Sequence, residues 1–207
     1  MTRILAFFSL AAVLLGLALG GFIVMRTADR DRFAACRDGA IASGETAGIG
    51  GPFSLVDATG ARVSEREAIR KLTLVYFGYT FCPDFCPNNL SRNAIVAELL
   101  AERGVEVENV FISIDPERDT PEQVGDFTAA IDPAIRGLTG TKREVAAAAS
   151  AYRIYFRKAE GDDEFYLMDH STFTYLMDPE RGFLDFFASD VPAGQMVERI
   201  GCFSSRL

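Results

Sequence analysis

"KLTLVYFGYTFCPDFCPNNLSRNAIVAELLAERGVEVENVFISID", residues 71–115, holds the stretch on which the fold is decided. It opens on an apolar, β-branched and aromatic run, "KLTLVYFGYT", which has the composition of a buried parallel strand. Two cysteines follow, Cys82 and Cys86, each with a proline directly after it. "NNLSRNAIVAELLAERG" then places Leu90, Ala94, Ala97 and Leu99 or Leu100 on one helical face, and Gly104 supplies a stop. "VENVFISID" reads as a second buried strand. The three pieces make a βαβ unit, two parallel strands joined by a right-handed crossover.

Working outward, "GGPFSLVDATGARVS" suits a short strand with a turn at "DATG". "TPEQVGDFTAAI" is a helix capped by Thr120 with Pro121 in its first position. "TKREVAAAASAY" repeats the design, with Thr141 and Glu144 forming a capping box. "STFTYLM–DPERG–FLDFF" is a hairpin and "AGQMVERIGCF" a closing helix. A βαβ half followed by a ββα half, with paired cysteines after the first central strand, is the layout of an α/β thioredoxin-like domain, in its peroxiredoxin-like variant, with a central mixed sheet.

Before residue 51 the chain has a different character. Residues 4–25 carry no charge, which is long enough for a membrane-spanning helix. A cleavable signal peptide has a shorter apolar core, and here Arg26 follows directly. Residues 1–25 are therefore expected to be an uncleaved transmembrane anchor, 26–50 a Gly-rich flexible tether and 51–207 the folded domain. Flanking charge leaves the orientation undecided. Arg3 is the single charge in the first 25 residues, so the rest of the chain carries 20 basic and 29 acidic side chains, a net −9. That balance argues against nucleic acid or an anionic membrane surface as a partner.

Cys82 and Cys86 fall where a strand hands over to a helix N-terminus, a position that favours thiolate over thiol. Pro87 has no N–H to give to the carbonyl of Pro83, so regular helix is expected from Pro87 onward, with the thiols on an exposed turn. A redox pair, a metal site and a peroxidase are the functional readings. Peroxiredoxin-type enzymes carry a proline seven residues and a threonine or serine three residues before the nucleophile. Val75 and Tyr79 stand there instead, so the peroxidase reading is poor.

The chain has one histidine, His170, in "MDHSTFTYLMD". It precedes the hairpin, and in a thioredoxin-like fold that loop packs beside the cysteine turn. Two soft sulfurs and one nitrogen suit a three-coordinate cuprous ion, whereas structural zinc takes four protein ligands and catalytic zinc three with a water. The donor set favours copper. Asp115 and Asp119, in "DPERDT", should emerge on the same rim, and with Asp84 and Asp169 are candidates to orient His170 or offer an oxygen to the metal. Cys36 and Cys202 are candidates to pair in an oxidising compartment.

The motifs "GGPFSLVDATG", "LVYFGYTFCPDFCP", "FISIDPERDTP", "GLTGT" and "DHSTFTYLMDPERG", in this order, resemble the Sco/SenC family of membrane-anchored copper proteins that assemble cytochrome c oxidase. The resemblance runs from "GGPFSL" to about Phe187. It implies copper ligands at Cys82, Cys86 and His170, an upstream copper donor, and a domain outside the cytoplasm, in the periplasm or the mitochondrial intermembrane space. The N-terminal stretch lacks an Arg- and Ser-rich transit region, so a bacterial inner membrane with the domain in the periplasm is expected. The resemblance also implies delivery of copper to the copper A centre of cytochrome c oxidase subunit II. Thiol–disulfide reduction of the recipient's cysteines, with Cys82 and Cys86 as the redox pair, is the alternative role. Phe85 and Asn89 depart from the family pattern, where isoleucine and an acidic residue are common. Cys36 and Cys202 lie outside it.

Overall fold

Strand β3 (Leu72–Gly78) is buried along its whole length and forms the spine of the domain. Side chains alternate across a strand. Val75 and Phe77 therefore join one core cluster, with Leu138, Val145 and Tyr152. Leu72 and Leu74 join a second one, with Val96, Leu100, Ile200 and Phe203. A computed structural model describes residues 16–17, 19–21, 32–37, 48–160 and 165–207. Apart from five of its residues the expected anchor, 1–25, lies outside them, and among the described residues no helix is long and apolar enough to cross a membrane.

The elements run β1 (Ser54–Asp57), β2 (Arg62–Ser64), α1 (Glu65–Ala68), β3, α2 (Phe85–Ala101), β4 (Val107–Ser113), α3 (Pro121–Ile131), β5 (Ile135–Thr139), α4 (Lys142–Ala151), β6 (Phe156–Lys158), β7 (Met168–His170), β8 (Thr174–Asp178), β9 (Gly182–Phe187) and α5 (Ala193–Ser204). Seven strands form one mixed sheet in the order β2-β1-β5-β4-β3-β8-β9. β3 and β4 pair in parallel from Leu72 opposite Val107 to Gly78 opposite Ser113, and β4 pairs in parallel with β5. β8 returns antiparallel to β3. The expected βαβ core, mixed sheet and closing helix are all present.

The helix caps follow the sequence. Thr120 accepts from Gln123 N at 3.2 Å with Pro121 in the first turn, and Thr141 accepts from Glu144 N at 3.3 Å. Two expectations for α2 need correction. The helix begins at Phe85, two residues before Pro87. Pro87 falls in the first turn, where its missing N–H has no intrahelical partner to lose. The buried stripe is Cys86, Asn89, Leu90, Asn93, Val96 and Leu100, while Ala94 and Ala97 are only half-buried and Leu99 is exposed. Two asparagines replace the expected alanines because their polar atoms bond across the interface: Asn93 Nδ2 donates to Thr174 Oγ1 at 3.2 Å.

The tether also departs from expectation. Residues 32–37 are docked on α5 and β9, with the Phe33 and Phe203 rings 5.4 Å apart and Arg37 Nε donating to Leu184 O of β9 at 3.0 Å. Cys36 and Cys202 form a disulfide across a sequence separation of 166 residues. Closing so long a loop restricts the unfolded chain strongly, and such a bond contributes about 2–4 kcal/mol. Cys202→Ser is expected to lower the unfolding free energy by about that amount, read from urea denaturation. An unchanged midpoint would show that the disulfide adds nothing.

Candidate metal centre

Residues 79–84, between the end of β3 and the start of α2, carry Cys82, and Cys86 sits in the first turn of α2. The expected exposed turn is only partly so: Pro83, Asp84 and Phe85 face solvent, whereas Cys82 is 8% and Cys86 0% exposed. Both thiols are unpaired, and Cys86 N donates to Cys82 Sγ at 3.3 Å. The Cys86 sulfur packs against Gly78, where a Cβ would lie 2.7 Å from it.

His170 arrives on β7, which pairs with β6 in a small separate two-stranded sheet. The sequence reading missed this pair; its strands are three residues each, too short to show a period. Ser171 N donates to Tyr155 O at 3.0 Å, which anchors the turn that follows. His170 Nδ1 lies 2.8 Å from Ser171 O. A carbonyl only accepts, so Nδ1 carries a proton, and Nε2 is the nitrogen that faces the thiols and is left to bind a metal. Nε2 is 3.8 Å from Cys86 Sγ, and the three candidate ligand atoms of Cys82, Cys86 and His170 lie within 4.8 Å of one another. Among the described residues this is the one cluster of metal-ligating side chains.

Two tyrosines frame the imidazole edge-on, Tyr79 at 5.8 Å and Tyr76 at 6.4 Å between ring centroids. The Tyr76 hydroxyl donates to Cys86 Sγ at 3.9 Å. Neither tyrosine was given a place beside the histidine from the sequence: both lie in the strand run, and Tyr79 counted there only against a peroxidase.

The carboxylates do something other than expected. Asp119 accepts from Thr80 N at 3.0 Å, Thr80 Oγ1 at 2.6 Å and Ser113 Oγ at 2.6 Å, so it pins the cysteine loop to β4. Burial pushes its pKa up. Asp115 accepts from Arg118 Nε at 2.6 Å and Tyr166 OH at 2.8 Å. Burial and then Asp115 push that phenol up to about 12. Arg118 lies over the rings of Tyr166 and Phe81, 3.6 and 4.9 Å from their centroids, and ties the approach to β7 to the cysteine loop. Asp84 and Asp169 accept from Asn88 and Arg157. His170 is thus oriented by a backbone carbonyl, and all four oxygens of Asp115 and Asp119 are engaged elsewhere.

The two thiols are electrically unequal. Cys82 is pushed down to about 4, chiefly by the hydrogen bond from the Cys86 thiol, with His170 and backbone N–H groups adding to it against the opposing effect of burial. Burial pushes Cys86 up. Cys82 is therefore the thiol that ionises first, well below the ordinary thiol range. Reduced, metal-free protein is expected to alkylate at Cys82 and not Cys86 at about pH 6, as read by peptide mass mapping. Equal labelling of both would overturn the assignment. Two sulfurs and one imidazole nitrogen, one sulfur already anionic, form a soft set fitted to a d-block cation of low coordination number.

The SCO1/SenC family model matches residues 41–204. Protein SenC of Rhodobacter capsulatus is 46% identical over 197 residues, 95% of this chain and 88% of that protein. The mitochondrial SCO1 homolog of Homo sapiens is 39% identical over 155 residues, 73% of this chain; the chain spans about half of that relative's length, 52%. The crystal structure of Arabidopsis thaliana ScoI with copper bound superposes with a TM-score of 0.72 at 42% identity, covering 76% of this chain and 98% of that one. Yeast Sco1 with copper bound gives 0.71 at 35% identity, covering 77% and 90%. On both the family match and these relatives, the chain belongs to the SCO1/SenC family.

Proposed function

We propose that this chain is a copper metallochaperone that holds copper through Cys82, Cys86 and His170 and passes it to the copper A centre of cytochrome c oxidase subunit II. The observation that carries the reading is the convergence of those three donor atoms within 4.8 Å. Cys82 is the more accessible sulfur, so an incoming thiol of the recipient would replace it first. Cys86, fully buried, would let go last. The copper-bound structures of relatives support copper as the cargo.

In this proposal residues 1–25 anchor the chain in a bacterial inner membrane with residues 51–207 in the periplasm, where an upstream donor loads it. The uncharged run 4–25 supports the anchor. The Cys36–Cys202 disulfide supports an oxidising compartment.

The unequal thiols favour a second role on the same atoms. The Cys82 thiolate would attack a disulfide of the recipient, forming a mixed disulfide and expelling one recipient thiolate. Cys86 would then attack Cys82 Sγ, releasing the second recipient sulfur and leaving a Cys82–Cys86 disulfide. Oxidised in that way, the pair no longer binds metal.

The test is anaerobic copper loading of the reduced full chain in detergent. One equivalent, lost in Cys82→Ser and in Cys86→Ser, is the expected result. No tight copper, with the Cys82–Cys86 pair cycling readily against a thiol buffer, would make the protein a reductase instead.

A further inference from the structure

The helix that carries Cys86 and the loop that carries His170 are distant in sequence, and side chains of α2 reach across to join them. Asn89 is 3% exposed. Its Nδ2 donates to Phe85 O at 2.7 Å and to Ser189 Oγ at 3.2 Å. The Ser189 hydroxyl donates in turn to Thr172 O at 2.9 Å, two residues after His170. A serine has one proton, so the hydroxyl that gives to Thr172 must accept from Asn89, and the carboxamide has two protons to give. The relay therefore has a single polarity. Asn89 Oδ1 is buried with no partner, a loss of stability that an amide brings and that a well-packed apolar side chain would avoid.

The far side of the relay is fixed as well. One turn along α2, Arg92 Nη1 donates to the carbonyls of Ala188, Ser189 and Val191 at 2.8, 2.9 and 3.1 Å, which immobilises the loop that carries Ser189. From the opposite side Tyr155 N donates to Ser171 Oγ at 3.2 Å. Residues 170–172 are clamped between these two attachments, with His170 Nε2 held 3.8 Å from Cys86 Sγ.

We propose that Asn89 and Ser189 are positioning residues of the metal centre: their hydrogen-bond relay from Phe85 to Thr172 sets the separation between Cys86 Sγ and His170 Nε2. The inference rests on the metal-centre reading of Cys82, Cys86 and His170. Neither residue touches the metal ligands' donor atoms, so the relay acts through backbone placement alone.

The chain's single histidine makes the test direct, because selective 15N-histidine labelling reports one ring. The full chain in detergent, reduced and metal-free, is compared with Ser189→Ala, Asn89→Asp and Ser189→Thr. Asn89→Asp keeps the shape but has at most one proton, and none when ionised, for the two acceptors Phe85 O and Ser189 Oγ. Ser189→Ala and Asn89→Asp are expected to shift and broaden the His170 ring signals and to weaken Cu(II) binding about tenfold. Ser189→Thr, which keeps the hydroxyl, should match the parent in both. His170 signals and Cu(II) affinities indistinguishable from the parent in the first two variants would overturn the proposal. If Asn89→Asp lost its fold by circular dichroism, Ser189→Ala would decide alone. If the parent itself bound no copper, the metal-centre reading would fall, while the metal-free ring signals would still decide the relay.

Discussion

Replacing His170 with Ala is expected to lower affinity for Cu(II) by more than about a hundredfold, the upper end of what outer partners of a metal ligand contribute. The donor removed is Nε2, whose lone pair is freed because Nδ1–H is committed to Ser171 O. No second imidazole exists in the chain to take its place. The oxygens of Asp115 and Asp119 are held by Arg118, Tyr166, Thr80 and Ser113. Cu(I) should be affected less, since two thiolates suit a soft cation in two-coordination. Competition titrations in each oxidation state, with a thiol count on the same samples, measure the split. A variant that held Cu(II) as tightly as the parent would show that the ligand set is wrong. The variant also separates the two roles. Cys86 is the main cause of the low Cys82 pKa and His170 a lesser one, so disulfide reduction should survive largely intact.

Gly78→Ala is expected to abolish tight copper binding through a residue that bears no donor atom. A Cβ there would stand 2.7 Å from Cys86 Sγ, 3.0 Å from Tyr76 Cε1 and 3.1 Å from Phe111 Cε2. The two rings are fully buried and cannot swing away. The sulfur is the end of a short side chain on the first turn of α2, so it has to leave the position from which it faces His170. The overpacking should lower stability by about 1–3 kcal/mol without unfolding the domain. Copper stoichiometry and urea denaturation on the same protein check both halves. If Gly78→Ala bound one equivalent as tightly as the parent, the contact between β3 and α2 would have slack, and the claim for Gly78 would fail.

The parts of this molecule that were legible in its sequence are those governed by local rules. The run 72–78 is apolar enough to need burial on both faces, and it lies inside the sheet between β4 and β8. Thr120 and Thr141 announced their helices because a cap acts within one turn. The cysteine pair and the lone histidine stood out by residue type. Less visible was anything whose meaning depends on a distant neighbour. Asn89 and Asn93 look like surface residues until Ser189 and Thr174 are brought against them. Gly78 looks like a strand end until Cys86 folds back over it. Asp119 looks like a candidate for the metal rim, yet both its oxygens brace the cysteine loop from beneath.

By itself the sequence determined the βαβ core, the capped helices, the closing hairpin and helix, and the identity of the three candidate ligands. All of these follow from periodicity, capping or the scarcity of sulfur and imidazole. Tertiary structure alone decided that Cys36 closes on Cys202 and that helix begins at Phe85. It also decided that a backbone carbonyl, rather than a carboxylate, fixes the imidazole tautomer. The physical reason is range. Propensity and capping act over a few residues, whereas the spacing of Cys86 Sγ and His170 Nε2, 84 residues apart, exists only once the tertiary fold has brought β7 against the start of α2.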